Sequence, residues 1–535
     1  MVAHKENSFH AVEIIKITLL LEIMYAVMNF HVHAQTAGIL DNSFGVNGKV
    51  VNPIFGDQGA HFVAIQPDGK IVAGGNDGFF NNAFLLIRYD SYGSMDSSFG
   101  TNGIVLTNPG TNNRVATSMV IQPDGRICVA GYASNGIDYD FATVRCNTDG
   151  SLDTSFGVAG IVMTDINNEG NYAYSIALQP DGKILLTGAS FISTALIRYN
   201  TDGSLDSSFG TGGLVYTTLS PGIWSSINFL AIQSDGKIVG VGYYSDTANF
   251  NSTSIAVLRF NTDGTLDSAF GNGGKVFTQV DNYLNIAEAI AIQDDGKIVV
   301  AGRIYNALNH VDFGLVRYNS NGSLDNTFGN AGKVLTVITP YDDLAYSMAI
   351  QTDGKIIVGG TSNISLTDSA MFTLICYNTD GSLDSAFGAS GIVTTSFGSR
   401  YDWAYAVALQ TDGKIVLAGE TNPVQFYDIA IARYLSTLNV GIIDEPLYYM
   451  QGFVYPNPIA FGSFTIEYEL QREEAITITL WDITGRNIVS FLDDEKRNSG
   501  KQKENLVMPQ YIADGNYLLQ IKTHTSITSV KVIKR

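Results

Sequence analysis

The densest concentration of ligand-type side chains in this chain recurs along it. Arg198-Tyr199-Asn200-Thr201-Asp202-Gly203-Ser204-Leu205-Asp206 has the oxygen donors of a calcium loop at its third, fifth and ninth positions, with glycine at the sixth. The first position, where such a loop needs a carboxylate, is arginine here and in five other copies, and Cys376 in the remaining one. A guanidinium there neutralises the acidic residues itself, so the segment reads as a structural turn in which arginine replaces the ion. The copy with Cys376 lacks that cation, and Asn378, Asp380 and Asp384 come nearest to a calcium site. No metal centre is otherwise expected, and nothing asks for a cofactor.

Catalytic constellations are sparse. Of the seven histidines, four fall in the first 34 residues, leaving His61, His310 and His524 far apart. No His/Cys cluster has zinc spacing, no Gly-x-Ser-x-Gly elbow occurs, and no phosphate-cradling loop opens a helix. The three cysteines, Cys128, Cys146 and Cys376, replace apolar or larger residues of other copies and read as small core residues. Asp and Glu are plentiful, but most recur in every copy, and a residue present in all copies is scaffold. A glycosidase or lyase would have to use unrepeated carboxylates.

Binding chemistry is better represented. Segments that differ from copy to copy are rich in aromatic residues among Asn, Asp, Ser and Thr. Trp224, Tyr283, Tyr341, Tyr401 and Trp403 fall between the last expected strand of one copy and the first of the next, where rings could stack on sugars or anchor a protein.

These residues must be positioned by the repeats themselves. Gln-x-Asp-Gly-Lys/Arg occurs seven times, with its Asp at 68, 124, 181, 235, 295, 353 and 412. Leu-Asp-x-Ser-Phe-Gly, with small variations, also occurs seven times, and Arg-Tyr-Asn-x-Asp-Gly-Ser lies between the two. Each copy reads as four short strands. In the third these are Tyr174 to Gln179, Lys183 to Gly188, Ala195 to Asn200 and Gly213 to Thr217. Pro67, Pro123 and Pro180 fit the first central position of a type I turn with glycine in the left-handed bulge position. Four strands per copy and no helical periodicity predict an all-β fold, a seven-bladed propeller over residues 40–434. Ala- and Ser-rich first strands suit the crowded axis. In that topology the near-invariant turns after the first and third strands share one face, and the variable connections share the other.

The order of motifs also predicts how the ring closes. The array opens on Leu40-Asp41-Asn42-Ser43-Phe44-Gly45, which elsewhere introduces a fourth strand, and no such motif follows Tyr434. Gly48 to Asn52 should therefore complete the last blade against Ile429 to Tyr434, removing two open sheet edges.

Composition agrees with an exported protein that avoids nucleic acid. Residues 35–450 carry 19 basic and 38 acidic side chains, which would repel phosphates, whereas residues 451–535 carry 10 of each. Residues 1–34 read as a signal peptide: Ile14 to Met28 is mostly apolar, and Val32-His33-Ala34 places small residues at a cleavage site. No stretch is long and apolar enough for a transmembrane span. Residues 435–449 read as a linker and 450–535 as a separate small Ig-like β-sandwich.

The repeats resemble the bacterial delta-60 repeat family. The tail resembles the type A C-terminal sorting domain of the type IX secretion system of Bacteroidota. Its matching residues are Tyr455-Pro456-Asn457-Pro458, Asp482-Ile483-Thr484-Gly485-Arg486, Gly515-Asn516-Tyr517 and the basic ending Lys531 to Arg535. The resemblance implies the type IX secretion machinery as a partner and a protein that is secreted or attached to the outer cell surface. On that scaffold the expected function is non-enzymatic binding of a glycan or protein ligand. The alternative is an extracellular carbohydrate-active enzyme.

Because the tail has its own strands and charge balance, truncation after Thr437 should leave a folded propeller stranded in the periplasm. Fractionation that finds the truncated form outside at normal levels would contradict its role as an export signal.

Overall fold

The computed structural model describes residues 37–53, 58–78, 83–190, 193–219, 225–245, 252–308, 310–364, 369–422 and 426–436 of the repeat region. In the tail it describes 453–455, 457, 459, 462–470, 473–482, 487–509, 511–523 and 527–534. The expected signal peptide, most of the expected linker, Trp224, Pro456, Pro458 and residues 483–486 lie outside these. The chain divides into two units, residues 35–439 and the C-terminal tail. Among the described residues no helix is long and apolar enough to cross a membrane.

The first unit is a seven-bladed β-propeller, each blade a four-stranded antiparallel sheet. Blade 1 runs Gln58–Ile65, Ile71–Asp77, Ala83–Tyr89 and Ile104–Thr107. The inner strands of blades 2 to 7 are Asn112–Ile121, Asn171–Leu178, Ser226–Ile232, Asn285–Ile292, Asp343–Ile350 and Asp402–Leu409. Each inner strand neighbours the next, and that of blade 7 lies beside that of blade 1, so the ring is closed. The turn after each inner strand has the expected form. In blade 1 the Gly69 N–H donates to the Gln66 carbonyl (2.9 Å), the Gln66 N–H donates to the Lys70 carbonyl (2.8 Å), and Gly69 has φ of 83°.

The recurring motifs meet at one place in each blade. In blade 3, Arg198 Nε lies 2.7 Å from the Asp206 carboxylate, and the guanidinium carbon stands 4.5 Å from the centroid of the Phe209 ring. The same arginine donates to the Thr262 carbonyl in the next blade. Lys183, from the Asp-Gly-Lys turn, reaches the same Asp206 oxygen at 2.9 Å. Burial alone would raise the Asp206 pKa, but Lys183, Ser208 and Arg198 together hold it well below the carboxylate range. Equivalent arginines in blades 1, 2, 4, 5 and 7 stand 4.4–4.5 Å from Phe99, Phe156, Phe270, Phe328 and Phe44. The arginine thus occupies the position of an ion and also links one blade to the next.

Blade 7 takes its outer strand from the start of the chain. Lys49–Asn52 pairs antiparallel with Asp428–Tyr434, Lys49 opposite Ala432 and Asn52 opposite Ile429, as the motif order requires. Asp41 supplies the missing carboxylate to Arg433 at 2.9 Å, across 392 residues of sequence.

Strand boundaries differ from expectation by one to three residues. The inner strand of blade 3 begins at Asn171 rather than Tyr174, because the ladder continues beyond a β-bulge at Tyr174. The tail unit has two sheets. Phe453–Tyr455, Ser463–Leu470 and Gly500–Val507 form one; Asn487–Arg497, Glu474–Asp482, Gly515–Thr523 and Ile527–Lys534 form the other. Ile466 and Leu506 from the first and Ile478, Leu480 and Leu519 from the second share one core.

The side chains of Asp41 and Arg433 are only 8% and 4% exposed. Asp41→Asn should therefore leave a buried guanidinium without its anion and cost about 3–5 kcal/mol of propeller stability. Urea unfolding of the two proteins measures this, and a loss below 1 kcal/mol would show that the ion pair does not hold the seam.

Candidate functional site

The inner strand of every blade carries a β-bulge at the same position. The ladder skips His61, Thr117, Tyr174, Asn228, Glu288, Tyr346 and Tyr405 in blades 1 to 7. The residue before each is buried: alanine in six blades and Ile227 in blade 4. The bulged residues themselves keep accessible surface. A bulge takes its residue out of the pairing, so on these inner strands, which neighbour one another around the axis, the freed side chain is not committed to the ladder. Beside this ring stands a second, set on the next strand of each blade: Asn76, Tyr132, Ala189, Tyr243, Arg303, Thr361 and Glu420. Each pairs with the residue two before a bulge.

Two members of the second ring brace the scaffold. Asn76 accepts the Ala116 N–H at 2.7 Å and Thr361 accepts the Ala404 N–H at 2.9 Å, each across a blade boundary. Through blades 5, 6, 7 and 1 the remaining residues form one connected polar and aromatic cluster. Glu288 accepts a hydrogen bond from Arg303. The Arg303 guanidinium stands 5.7 Å from the centroid of the Tyr346 ring. Tyr346 meets Tyr405 at 5.4 Å, and His61 meets Tyr405 edge-on at 5.0 Å. The Tyr405 hydroxyl donates to Oε1 of Glu420 at 2.9 Å. Gly59 makes room for this arrangement, since a methyl group there would fall 2.3 Å from Oε2 of Glu420 and 2.9 Å from Nε2 of His61.

The enclosing walls set the ionisation of this cluster. Desolvation raises the Glu288 carboxyl against the opposing pull of Arg303. Burial works against the Arg303 cation, but Glu288 outweighs it and raises its pKa. Tyr346 is pushed up to about 12, chiefly by burial, and Tyr405 higher still by burial and then by Glu420. His61 lines the channel with part of its surface open, yet desolvation lowers its pKa. The site therefore offers tyrosine hydroxyls, carboxyl oxygens, an imidazole that burial keeps neutral and ring surfaces in one place. That is equipment for recognising a polyhydroxylated ligand.

The aromatic residues expected to bind are distributed differently. Trp403 is not in a connection; it lies within Asp402–Leu409, opposite Glu420, because the inner strand starts before its bulge. Tyr401 immediately precedes that strand and makes a bridge to Ala370. Tyr283 lies in the loop before the blade 5 inner strand, where its carbonyl accepts from Asn285 Nδ2 (2.7 Å). Tyr341 stands 6.5 Å from His310. Among the described residues no ring contact joins any two of Tyr283, Tyr341, Tyr401 and Trp403, and Trp224 lies outside them.

The turn nearest to a calcium site is occupied by protein donors. Asp380 Oδ1 accepts from the Ser382 N–H and hydroxyl, and Asp384 Oδ2 is 2.9 Å from Lys355 Nζ. Asn378 turns its NH₂ group to Ser382 and Leu383. Cys128, Cys146 and Cys376 are buried free thiols, each pushed up to about 12 chiefly by burial.

Sequence reasoning missed the bulge column. Its signal was available in the aligned inner strands: one variable residue set between small repeated ones, as in Ala-Glu-Ala, Ala-Tyr-Ser and Ala-Tyr-Ala.

Ring and tail together define an exported β-propeller carrying a C-terminal secretion signal. Seven segments, 66–99, 122–156, 179–209, 233–270, 293–328, 351–387 and 410–440, match the family described as "Domain of unknown function (DUF5122) beta-propeller". Residues 453–535 match "Secretion system C-terminal sorting domain". The chain is thus a DUF5122 repeat protein of the type IX secretion route, delivered to the cell surface or released. Among solved structures it is similar to virginiamycin B lyase from Staphylococcus aureus, at 12% identity and a TM-score of 0.42, over 72% of this chain and 99% of that one. It is also similar to PorZ, a surface component of the type IX secretion system of Porphyromonas gingivalis (12%, TM-score 0.38, 90% and 61%). A third is polysaccharide lyase Uly1 (10%, TM-score 0.40, 74% and 92%). No curated protein matches the chain.

The lowered pKa of His61 has a sign. The unfolded chain binds its proton near pH 6.5 while the folded ring resists it, so stability should fall as pH drops below about 6.5. His61→Gln should reduce that slope, and thermal melts from pH 7.5 to 5 would show an unchanged slope if the imidazole were freely solvated.

Proposed function

We propose that this protein is a non-enzymatic binding module, exported to the cell exterior, that holds a glycan at the axial mouth of its variable face. One observation carries the reading: a bulge shared by all seven blades presents five residue types among them, and four neighbouring blades supply His61, Glu288, Tyr346 and Tyr405. Conserved geometry with divergent chemistry is what a ligand site requires of a repeat scaffold. Tyrosine rings beside hydrogen-bonding carboxylates suit sugars, which have apolar ring faces and hydroxyl edges. Trp403, opposite Glu420 in the ladder, belongs to the same mouth. Tyr283, Tyr341 and Tyr401 stand in the connections that border it, and a ligand reaching beyond the channel would meet them.

The uniform face is a poorer candidate. Its clefts between blades, such as that lined by Gln293, Asp295, Lys297, Arg317 and Thr379, recur at Gln179, Asp181, Lys183, Arg198 and Thr262. Their cations are already paired, Lys297 with Asp295, Arg317 with Asp325, and Lys183 and Arg198 with Asp206.

A glycan array probed with the purified protein, followed by calorimetry on the best ligand, tests this. Tyr405→Ala and Glu420→Gln should each weaken binding by about tenfold or more, the worth of one stacked ring or charge-assisted hydrogen bond. A ligand that contacts only the Asp-Gly-Lys turns would refute the location. Glycan cleavage abolished by Glu420→Gln would replace the binding reading with an enzymatic one.

A further inference from the structure

The channel mouth has a second aromatic group that the cluster of blades 5, 6, 7 and 1 does not use. Tyr132 and Tyr139, from blade 2, and Tyr172, from blade 3, touch one another. Their orientations are unequal. Tyr139 and Tyr172 are inclined by only 38° at 5.4 Å, whereas Tyr132 stands nearly perpendicular to both, at 86° and 78°. Tyr139 and Tyr172 therefore adjoin at a tilt, their accessible ring surfaces making one aromatic platform, and the third ring meets both edge-on. All three keep accessible surface, which a ring serving only as core would not.

Two further features specify what the platform suits. Gly170, in the loop before the blade 3 inner strand, lets the Tyr172 ring lie against the backbone; a methyl group there would come within 3.2 Å of the hydroxyl and 3.4 Å of Cε2. Several carboxylates lie near the platform, while Arg114, beside Tyr132's ladder partner Val115, is engaged by the Pro109, Gly110 and Thr111 carbonyls. Asp138 and Asp140 flank Tyr139, and Asp165 and Glu169 lie in the loop that leads to Tyr172. Asp140 is close enough to Asp138 and Asp165 that, after burial, their charges help to raise its pKa. An anionic sugar would meet repulsion here.

We infer that Tyr139 and Tyr172 form a second sugar-stacking subsite, across the mouth from the Tyr405–Glu420 cluster, so that the ligand is a linear neutral glycan of several units. This rests on the glycan-binding reading and deepens it. One pyranose face stacks on the platform while another unit hydrogen-bonds to Glu420, Tyr405 and His61. Two contacts on one chain act as linked binding events, so affinity rises with chain length until both are filled.

The test uses the full-length exported protein with neutral oligosaccharides of two to six units (cello-, manno-, xylo- and laminari- series) and with hexagalacturonate. Wild-type affinity should rise from the dimer to the hexamer in one neutral series, with hexagalacturonate bound at least tenfold more weakly. Tyr172→Ala should weaken hexamer binding about tenfold and leave dimer binding within twofold, while Tyr172→Phe, which keeps the ring, should bind as wild type does. Hexamer binding unchanged in Tyr172→Ala, or hexagalacturonate bound as tightly as the neutral hexamer, overturns the second subsite and leaves the first standing. Failure of wild type to bind any member of the panel, with the fold intact, overturns the glycan reading itself.

Discussion

The arginine that bridges each blade to the next is the interaction on which this propeller depends. It is buried, and it meets three demands at once: its own blade's aspartate, the Phe ring beneath it, and a carbonyl in the neighbouring turn. A buried charge is tolerated only when paired and hydrogen-bonded on every side, and here the motif residues supply those partners in fixed register. Three sequence motifs that are far apart within a repeat are therefore one structural unit. The strict spacing follows from it, because a shift of one residue in any motif would leave a buried cation unmatched.

The single exception explains itself at the seam. Cys376 stands where the other blades have arginine, and the blade that follows is the one completed by the start of the chain. No eighth Leu-Asp motif follows Tyr434, and Leu435 pairs instead with Gly38 and Ile39, so the turn that would offer its carbonyl is replaced. The opening segment fills that place instead: Gly388 donates to the Ala37 carbonyl at 2.8 Å, as Gly210 donates to Asp263 between blades 3 and 4. With no regular turn to reach, arginine has lost one of its three partners. Asp384 keeps its cation through Lys355 at 2.9 Å, and the buried Cys376 thiol donates to the same carboxylate oxygen at 3.7 Å. Export as an intact ring is consistent with this closure, since no blade lacks its outer strand.

The fold was legible because its determinants repeat. Seven copies of each turn motif average out local ambiguity, and the order of the motifs alone placed Lys49–Asn52 against blade 7. Arginine in the place of a calcium ligand was readable from its charge. The site was less legible for the opposite reason. His61, Glu288, Tyr346 and Tyr405 are each unremarkable in their own strand, and only the bulge brings them to the channel. Strict alternation would have assigned each of them to a blade face. Trp403 was placed in a connection because the small residues that mark an inner strand begin only at Ala404, while the ladder begins two residues earlier. Length and alternation carry no information on a bulge, which is set by how seven inner strands crowd one axis.

Charge satisfaction separates the two ends of the blades more sharply than aromatic content does. At the uniform face each aspartate of the Leu-Asp motif is held by at least one cation and each buried arginine has carbonyl and carboxylate partners, so a ligand would have to displace good internal bonds. At the axial mouth the tyrosine hydroxyls and the His61 imidazole are enclosed without being consumed by the sheet ladders. A bulged residue makes no cross-strand pair, so changing its identity costs the scaffold little. Variation can therefore accumulate at that column while the arginine network stays constant. The same physical division, rigid outer turns and a permissive inner bulge, lets one repeat architecture carry different ligand chemistries without altering its closure.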